Sequence, residues 1–341
     1  MALFFRRRKP APEAPAVAAD DVEFWKDHRN VSRETSIQTL HNPKRAWHDV
    51  PEDYDPMQEY GDEYVETVTT GPLVQLPRPK QARAFVVANQ KGGVGKTTTA
   101  VNVAMALALG GLNVLVIDND PQGNASTALG VDHLPGTKGT YEVLMDQDAI
   151  AEHAQRSNHS PNLHVLPATI DLAAAELELV NVPGREHRLK DALDAYIEQS
   201  GVDYVFIDCP PSLGLLTLNA LVAGTELIVP IQCEYYALEG VTALMNTIRR
   251  VKSGLNTELA LSTILLTMHD RRTNLAREVS AEVRTHFPRE TLDNVIPRSV
   301  RVAEAPSFAQ SVVTYQPKSE GAMAYIAVAA EIAFRAEGIE G

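Results

Sequence analysis

The sequence predicts an α/β protein built on a doubly wound, mainly parallel β-sheet flanked by helices. Two patterns lead to this fold class. Short, almost wholly apolar segments with the length of buried strands alternate with longer segments of helical periodicity. The first apolar segment is followed at once by a glycine-rich turn that opens a helix, as at the start of a βαβ unit.

Five strands and six helices can be assigned along the chain. The strands are predicted at residues 84–88, 113–118, 203–208, 226–230 and 260–266. The helices are predicted at residues 98–109, 188–197, 213–222, 238–251, 275–286 and 321–336. All of them lie after residue 82, so we expect one domain over residues 83–341.

Residues 1–82 differ in composition from this domain. They hold 9 of the 21 prolines, and the acidic stretch 49–66 contains few aliphatic residues. Such a segment cannot bury enough apolar surface to fold alone, so we predict a disordered extension. Phe4 and Phe5 stand before four cations at residues 6–9, which is the reverse of a secretory signal. This beginning is either a solvated tail or a contact element for membrane, DNA or a polar scaffold.

Composition excludes several classes of protein. The chain of 341 residues is 44% hydrophobic and has no apolar run near the roughly 18 residues that cross a bilayer. Cys209 and Cys233 are its only cysteines, too few for a disulfide framework or a metal cage. These features favour the cytoplasm. The net charge of −13 argues against a protein that coats DNA with its whole surface, although it allows a local basic patch.

The glycine-rich turn predicts a phosphate-binding loop. Backbone N–H groups of such a turn converge on phosphate oxygens, and the helix that follows adds a favourable dipole. Lys96 is expected to reach the β- and γ-phosphates, and the Thr97 hydroxyl to bind Mg²⁺. The strict P-loop pattern fails because Gln90 occupies its first glycine and Lys91 follows. The predicted nucleotide contacts are Gly92, Gly93, Val94, Gly95, Lys96, Thr97 and Thr98.

Several spaced motifs resemble those of the ParA/Soj branch of the ParA/MinD ATPases. Residues 91–99 resemble the deviant Walker A motif of that family, and residues 118–124 resemble its second motif. Residues 207–212 are similar to its Walker B motif, and residues 274–275, 296–301 and 304–306 to its C-terminal part. The resemblance covers about residues 83–338. It implies a deviant P-loop NTPase whose first lysine, here Lys91, reaches across an ATP-sandwich homodimer to the phosphates of the partner.

The same resemblance suggests roles for three carboxylates. Phosphoryl transfer to water requires charge neutralisation and a positioned nucleophile more than covalent help. Asp208 ends an apolar strand and is expected to hold a water on Mg²⁺, with Asp118 supporting the metal. Asp120 is the candidate to orient the attacking water, so Lys91, Lys96 and Asp120 are the predicted catalytic residues. An ordinary strand-end turn is the alternative for the two aspartates of residues 118–120.

The nucleotide is expected to be ATP. The sequence lacks the [NT]-K-x-D loop by which related proteins recognise guanine. In the resembled family the adenine lies near a Pro-Arg pair, which corresponds to Pro297 and Arg298. The predicted activity is therefore hydrolysis of ATP to ADP and phosphate at a low intrinsic rate.

Residues 249–301 form a basic region in an acidic chain. They carry ten Lys or Arg and six Asp or Glu, and nine of the ten cations are arginine, which binds phosphate in a bidentate manner. A solvated helix face with scattered ion pairs would show the same charge. The resemblance implies that Arg272 and Arg301 contact DNA, and contacts to phosphate alone give sequence-independent, salt-sensitive binding.

Several functions remain as hypotheses. The first is a chromosome- or plasmid-partitioning ATPase that acts on the nucleoid with double-stranded DNA and a ParB-like partner. Others are a MinD-like division-site ATPase, a cargo-positioning relative, an iron–sulfur reductase and a DNA-binding module without activity. The alanine-rich residues 325–335 carry one arginine, unlike a membrane-targeting helix. The cysteines are too few for a cluster, and residues 1–82 show no helix-turn-helix.

Overall fold

The computed structural model describes residues 75–234 and 237–336. Most of the predicted N-terminal extension, with Phe4, Phe5 and the cations at residues 6–9, therefore lies outside the described residues.

A seven-stranded sheet forms the centre of the domain, with strand order β3-β4-β2-β5-β1-β6-β7. Neighbouring strands are parallel except for β3 and β4, which pair antiparallel at one edge. This confirms the predicted doubly wound, mainly parallel sheet. The strands are β1 (Arg83–Val87), β2 (Val114–Asp118), β3 (Gln155–Arg156), β4 (Leu163–Leu166), β5 (Tyr204–Asp208), β6 (Glu226–Gln232) and β7 (Ala260–Thr267).

Helices cover the sheet, and all six predicted helices are present with ends within three residues of those expected. The shorter helices between them were not predicted. The helices are α1 (Lys96–Leu109), α2 (Asn124–Ala128), α3 (Thr140–Met145), α4 (Ile150–His153), α5 (Leu172–Glu178), α6 (Arg188–Ser200), α7 (Leu215–Ala223), α8 (Ala237–Lys252), α9 (Asn274–His286), α10 (Val300–Glu304), α11 (Val312–Tyr315) and α12 (Glu320–Arg335). Two 3₁₀ turns, Leu179–Asn181 and Ala305–Phe308, follow α5 and α10.

Helix α1 lies in the middle of the core. Its alanines let α12 pack closely against it, and α12 contributes further alanines to the same contact. Tyr325 and Val328 of α12 are almost completely buried there. None of the helices in the described ranges has both the length and the apolar character that a membrane crossing requires.

Residues 75–82, which were predicted to belong to the extension, contact the domain. The Leu76 N–H donates to the Gly110 carbonyl at 3.1 Å, and the Leu76 side chain is buried. The Arg78 guanidinium, which is 55% exposed, forms an ion pair with the largely buried Asp203 at 3.1 Å. The chain is therefore attached to the domain from Leu76 onward.

A buried ion pair ties together the amino ends of the central strands. The Arg83 guanidinium donates to both carboxylate oxygens of Glu226, at 2.6 and 2.7 Å, and to the carbonyl of Ile332 at 2.9 Å. It also lies 4.7 Å from the centre of the Phe85 ring. The hydrogen bond and charge of Glu226 raise the pKa of Arg83 even though burial opposes this.

Arg83→Met is expected to lower the free energy of unfolding by about 3 kcal/mol, because it leaves the Glu226 carboxylate buried without its cation. Urea denaturation measures this. The control is Lys190→Met, which removes an ion pair with Asp194 whose side chains are 37% and 52% exposed and should cost less than about 1 kcal/mol. Equal losses in both variants would contradict the prediction.

Candidate nucleotide-binding site

The glycine-rich loop connects the end of β1 to the start of α1. Gly93 and Gly95 have φ angles of 75° and 90°, in the left-handed region that favours glycine. No atom lies within 4 Å of a Cβ placed on Gly92 or Gly93, so this stretch of backbone is open to an incoming group. Its position at the amino end of α1 gives it the geometry of a phosphate-binding loop.

Lys96 is the buried cation of this loop. It is 7% exposed, and its Nζ lies 3.4 Å from the carbonyl of Lys91. Burial lowers the pKa of Lys96, whereas the nearby charges of Asp208 and Asp120 act in the opposite direction. The ammonium thus stands between the loop and the acidic strand ends, where it can neutralise a bound phosphate.

Two buried aspartates lie at the carboxyl ends of neighbouring strands beside this loop. Asp118 of β2 is in register with Asp208 of β5, and Val87 of β1 is in register with Asp208 on its other side. Both oxygens of Asp208 are buried, and among the described residues neither accepts a hydrogen bond of good geometry. Burial, with the charge of Asp118, raises the pKa of Asp208 well above its usual range.

A buried carboxylate stays ionised only beside a cation, and an oxygen ligand beside a phosphate loop suits Mg²⁺. The Thr97 hydroxyl acts to lower the pKa of Asp208 and is therefore close to it. Asp118 is better satisfied, because its Oδ2 accepts from the Ser126 N–H at 2.8 Å and from the Ser126 hydroxyl at 2.7 Å. Burial nevertheless raises the pKa of Asp118 to about 6. The donor set of Thr97 and Asp208, supported by Asp118, fits a magnesium ion.

Asp120 lies in the turn that follows β2. One of its carboxylate oxygens accepts from the Gln122 N–H at 3.0 Å, and the side chain is only partly buried. Gly123 follows with a φ of 64° and begins α2. A Cβ on Gly123 would lie 2.8 Å from the Ala168 carbonyl oxygen, so the turn has no room for a larger residue. Asp120 is thereby held at the mouth of the site.

The Lys91 ammonium forms an ion pair with Glu234. Its Nζ lies 3.0 Å from Glu234 Oε2, and the two side chains are 37% and 45% exposed. The Lys91 N–H also donates to Asn89 at 3.1 Å. Glu234 was not predicted as a site residue, since nothing in its local sequence indicates that it would meet a lysine 143 residues earlier.

The base contacts suggested by the sequence line a cavity beside β7. The cavity of about 240 Å³ is formed in part by Pro297 and Arg298, with His269 and Arg272. A parallel bridge joins His269 to Pro297. Thr267, two residues before His269, donates its hydroxyl to the Val94 carbonyl at 2.9 Å, which connects this region to the phosphate loop.

The two arginines expected at DNA are both on the surface, and each already has an acidic partner. Arg272 is 86% exposed and makes two hydrogen bonds of 3.1 Å to Asp270. Arg301 is 56% exposed and pairs with Glu304 one turn later in α10. These pairs lower the pKa of Asp270 and of Glu304.

Comparisons with known proteins agree with this geometry. The family model described as an AAA domain matches residues 82–261. The sporulation initiation inhibitor protein Soj of Bacillus subtilis is 49% identical over 251 residues, which are 74% of this chain and 98% of that protein. The chromosome partitioning protein ParA of Caulobacter vibrioides is 48% identical over 253 residues, 74% of this chain and 94% of that protein.

This chain belongs to the ParA/Soj family of P-loop ATPases. The solved structure of cobyrinic acid a,c-diamide synthase from Mycobacterium smegmatis, with bound ATP analogue and magnesium, is also similar. It is 40% identical with a TM-score of 0.62, and the match covers 73% of this chain and 93% of that one. The nucleotide and metal predicted from the sequence are the pair named for that structure.

In this ParA/Soj ATPase, the residues of the predicted motifs lie close together, but some of the residues that contact them were not predicted. Lys96, Asp118, Asp120 and Asp208 lie together around the loop, and Pro297 and Arg298 lie beside β7. Ser126, Thr267 and Glu234 were not singled out. Each acts through a tertiary contact with a residue of a motif, and only Ser126 follows a motif closely enough for its sequence position to have been a signal.

Proposed function

We propose that this ATPase partitions DNA by a nucleotide-controlled cycle. ATP joins two subunits face to face, the dimer binds nucleoid DNA without sequence preference, and a ParB-type partner stimulates hydrolysis and release. The observation that carries the proposal is the parallel bridge between His269 and Pro297. Because of this bridge, the segment that bears Arg272 lies beside the segment that bears Arg301. Both segments lie next to Thr267, the end of β7, whose hydroxyl contacts the phosphate loop.

Each residue of the site has its own role in the hydrolysis of ATP. The loop N–H groups, Lys96 and Thr97 bind the phosphates and the metal, and Mg²⁺ would neutralise the charge that develops on them. Asp208, with Asp118 behind it, would hold that ion. Asp120 orients the attacking water. Lys91 leaves Glu234 to contact the phosphates of the partner subunit, so the site is complete only in the dimer.

Binding to DNA rests on exposed arginines rather than on net charge. Arg272 and Arg301 extend from neighbouring segments into solvent, and arginine binds phosphate in a bidentate manner. DNA phosphate would replace Asp270 and Glu304 as their partners. Because two subunits present four such arginines, dimerisation strengthens binding without any new contact within a subunit.

A membrane-based cycle of the MinD type has less support. The last described helix, α12, has its apolar face against α1, with Tyr325 and Val328 buried in the domain core. An apolar face that is already covered is not free to lie on a bilayer. The name of the Caulobacter relative, a chromosome partitioning protein, also favours the DNA-based function.

The test is DNA retention of the purified protein with ATP, with ADP and without nucleotide. With ATP, retention of a random duplex should be strongest and should fall steeply with salt. Arg272→Glu combined with Arg301→Glu is expected to reduce retention by at least about tenfold while ATP binding and the dimer persist.

The matched control reverses the charge of two exposed lysines outside the basic region, Lys138→Glu with Lys190→Glu. It makes the same change in net charge and should retain DNA better than the arginine variant. Equal retention by the two double variants would show that the two arginines are ordinary surface residues with no special role in DNA binding. DNA retention by the unaltered protein that is equally strong with and without ATP would contradict the proposed cycle.

A further inference from the structure

Thr267, the last residue of β7, is joined to the phosphate loop by a buried side-chain contact. Its hydroxyl donates to the Val94 carbonyl at 2.9 Å across 173 residues of sequence. Thr267 is 2% exposed and Val94 is 1% exposed. The threonine methyl group lies 3.9 Å from the position of a Cβ on Gly95, so the same side chain also lies against the next residue of the loop.

The contact is made at the part of the loop whose backbone is least restricted in conformation. Val94 stands between Gly93 and Gly95, whose φ angles of 75° and 90° belong to a region that glycine enters and leaves at little cost. A buried carbonyl without a donor is unfavourable, so the Thr267 hydroxyl favours the conformation in which the Val94 carbonyl points at β7. Because the peptide is planar and trans, the Gly95 N–H then points the opposite way.

We propose that Thr267 is a positioning residue of the phosphate loop. Its hydroxyl fixes the peptide between Val94 and Gly95 and so keeps the Gly95 N–H directed at the phosphates before ATP arrives. Without this bond the glycines on either side allow other conformations, and ATP must select the binding conformation from among them. The proposal rests on residues 91–97 being the phosphate site, which the Lys96 variant described below tests separately.

Thr267→Val keeps the shape of the side chain and removes the donor, whereas Thr267→Ser keeps the donor and removes the methyl group. The control is Thr263→Val, the same replacement at a buried threonine four residues before Thr267 on the same strand. We expect Thr267→Val to raise the KM for ATP and the Kd for a fluorescent ATP analogue about tenfold, with kcat within about threefold. Thr267→Ser should restore both constants to within about threefold of the unaltered protein.

A purely structural role for Thr267 gives a different result. Both valine variants would then lower the melting temperature of the nucleotide-free protein by similar amounts and leave the KM unchanged. An unchanged KM in Thr267→Val, or a serine variant as impaired as the valine variant, overturns the proposal. If the valine variant does not fold, Thr267→Ala against Thr267→Ser carries the same comparison, because the two differ only in the hydroxyl. Loss of binding in Lys96→Ala together with normal binding in Thr267→Val would refute the positioning role and leave the site intact.

Discussion

Lys96→Ala is expected to abolish detectable ATP turnover and to weaken ATP binding by at least about 100-fold. Lys96 is the buried cation of the loop, and the charges of Asp208 and Asp120 act on it. Removing the ammonium leaves these carboxylates to repel the phosphates that the lysine would otherwise neutralise. In a largely buried site this electrostatic loss is large, because little water is present to screen it. Titration with a fluorescent ATP analogue in the presence of Mg²⁺ measures the binding, and phosphate release measures the turnover.

The matched control is Lys91→Ala in the same loop. Lys91 is 37% exposed and its ammonium is paired with Glu234, so its loss should leave ATP affinity of a single subunit within about threefold. Turnover should nevertheless fall, since Lys91 is assigned to the phosphates of the partner subunit. A Lys96→Ala protein that binds ATP normally would exclude the loop as the phosphate site. Thermal unfolding without nucleotide should accompany both measurements, to separate lost binding from lost fold.

Asp120→Ala is expected to lower turnover by about 10² to 10⁴ while ATP binding and ATP-dependent dimerisation are retained. A group that orients or deprotonates the attacking water typically contributes a factor of this size. Asp120 lies at the mouth of the site, in a turn that Gly123 and the start of α2 hold in place. Its charge also helps to raise the pKa of Asp208, after burial and the charge of Asp118, so its removal should make the site no less favourable for the phosphates. Trapped ATP-bound dimers, measured by light scattering, should therefore accumulate in this variant.

Asp132→Ala provides a close structural control. Asp132 makes the same local turn as Asp120, because each carboxylate accepts from the backbone N–H two residues later. Alanine at either position removes the same kind of hydrogen bond, but Asp132 lies outside the group of residues around the loop. The two variants should have similar stability and very different turnover. Normal hydrolysis by Asp120→Ala would assign the positioning of water to another group.

The central strands were predictable because they are buried on both faces. Strands β1, β2 and β5 are buried along their full length, so their sequences are almost wholly apolar apart from Arg83 at the start of β1 and the aspartates that end β2 and β5. Strand β4 was missed because it has four residues, one of them His164, and strand β3 has only two. An edge strand of that length leaves almost no periodic signal in the sequence.

The site was predictable where its function restricts consecutive residues. A loop that approaches phosphate requires glycines at fixed spacing, and the carboxyl ends of parallel strands meet at one edge, so Asp118 and Asp208 were expected together. Thr267 and Glu234 could not be found in this way. Each meets its partner only after the sheet has formed, and a single threonine or glutamate at the end of a strand has no distinctive pattern.

The way the chain enters the domain has a practical consequence. Leu76 is bound to Gly110, which follows the last turn of α1, while the phosphate loop is at the first turn of the same helix. A helix of 14 residues separates the two points by about 20 Å. A fluorophore coupled to residue 75 is thus attached at the opposite end of α1 from the phosphate loop. Through such a label the protein can be followed by single-molecule imaging while the phosphate loop stays accessible.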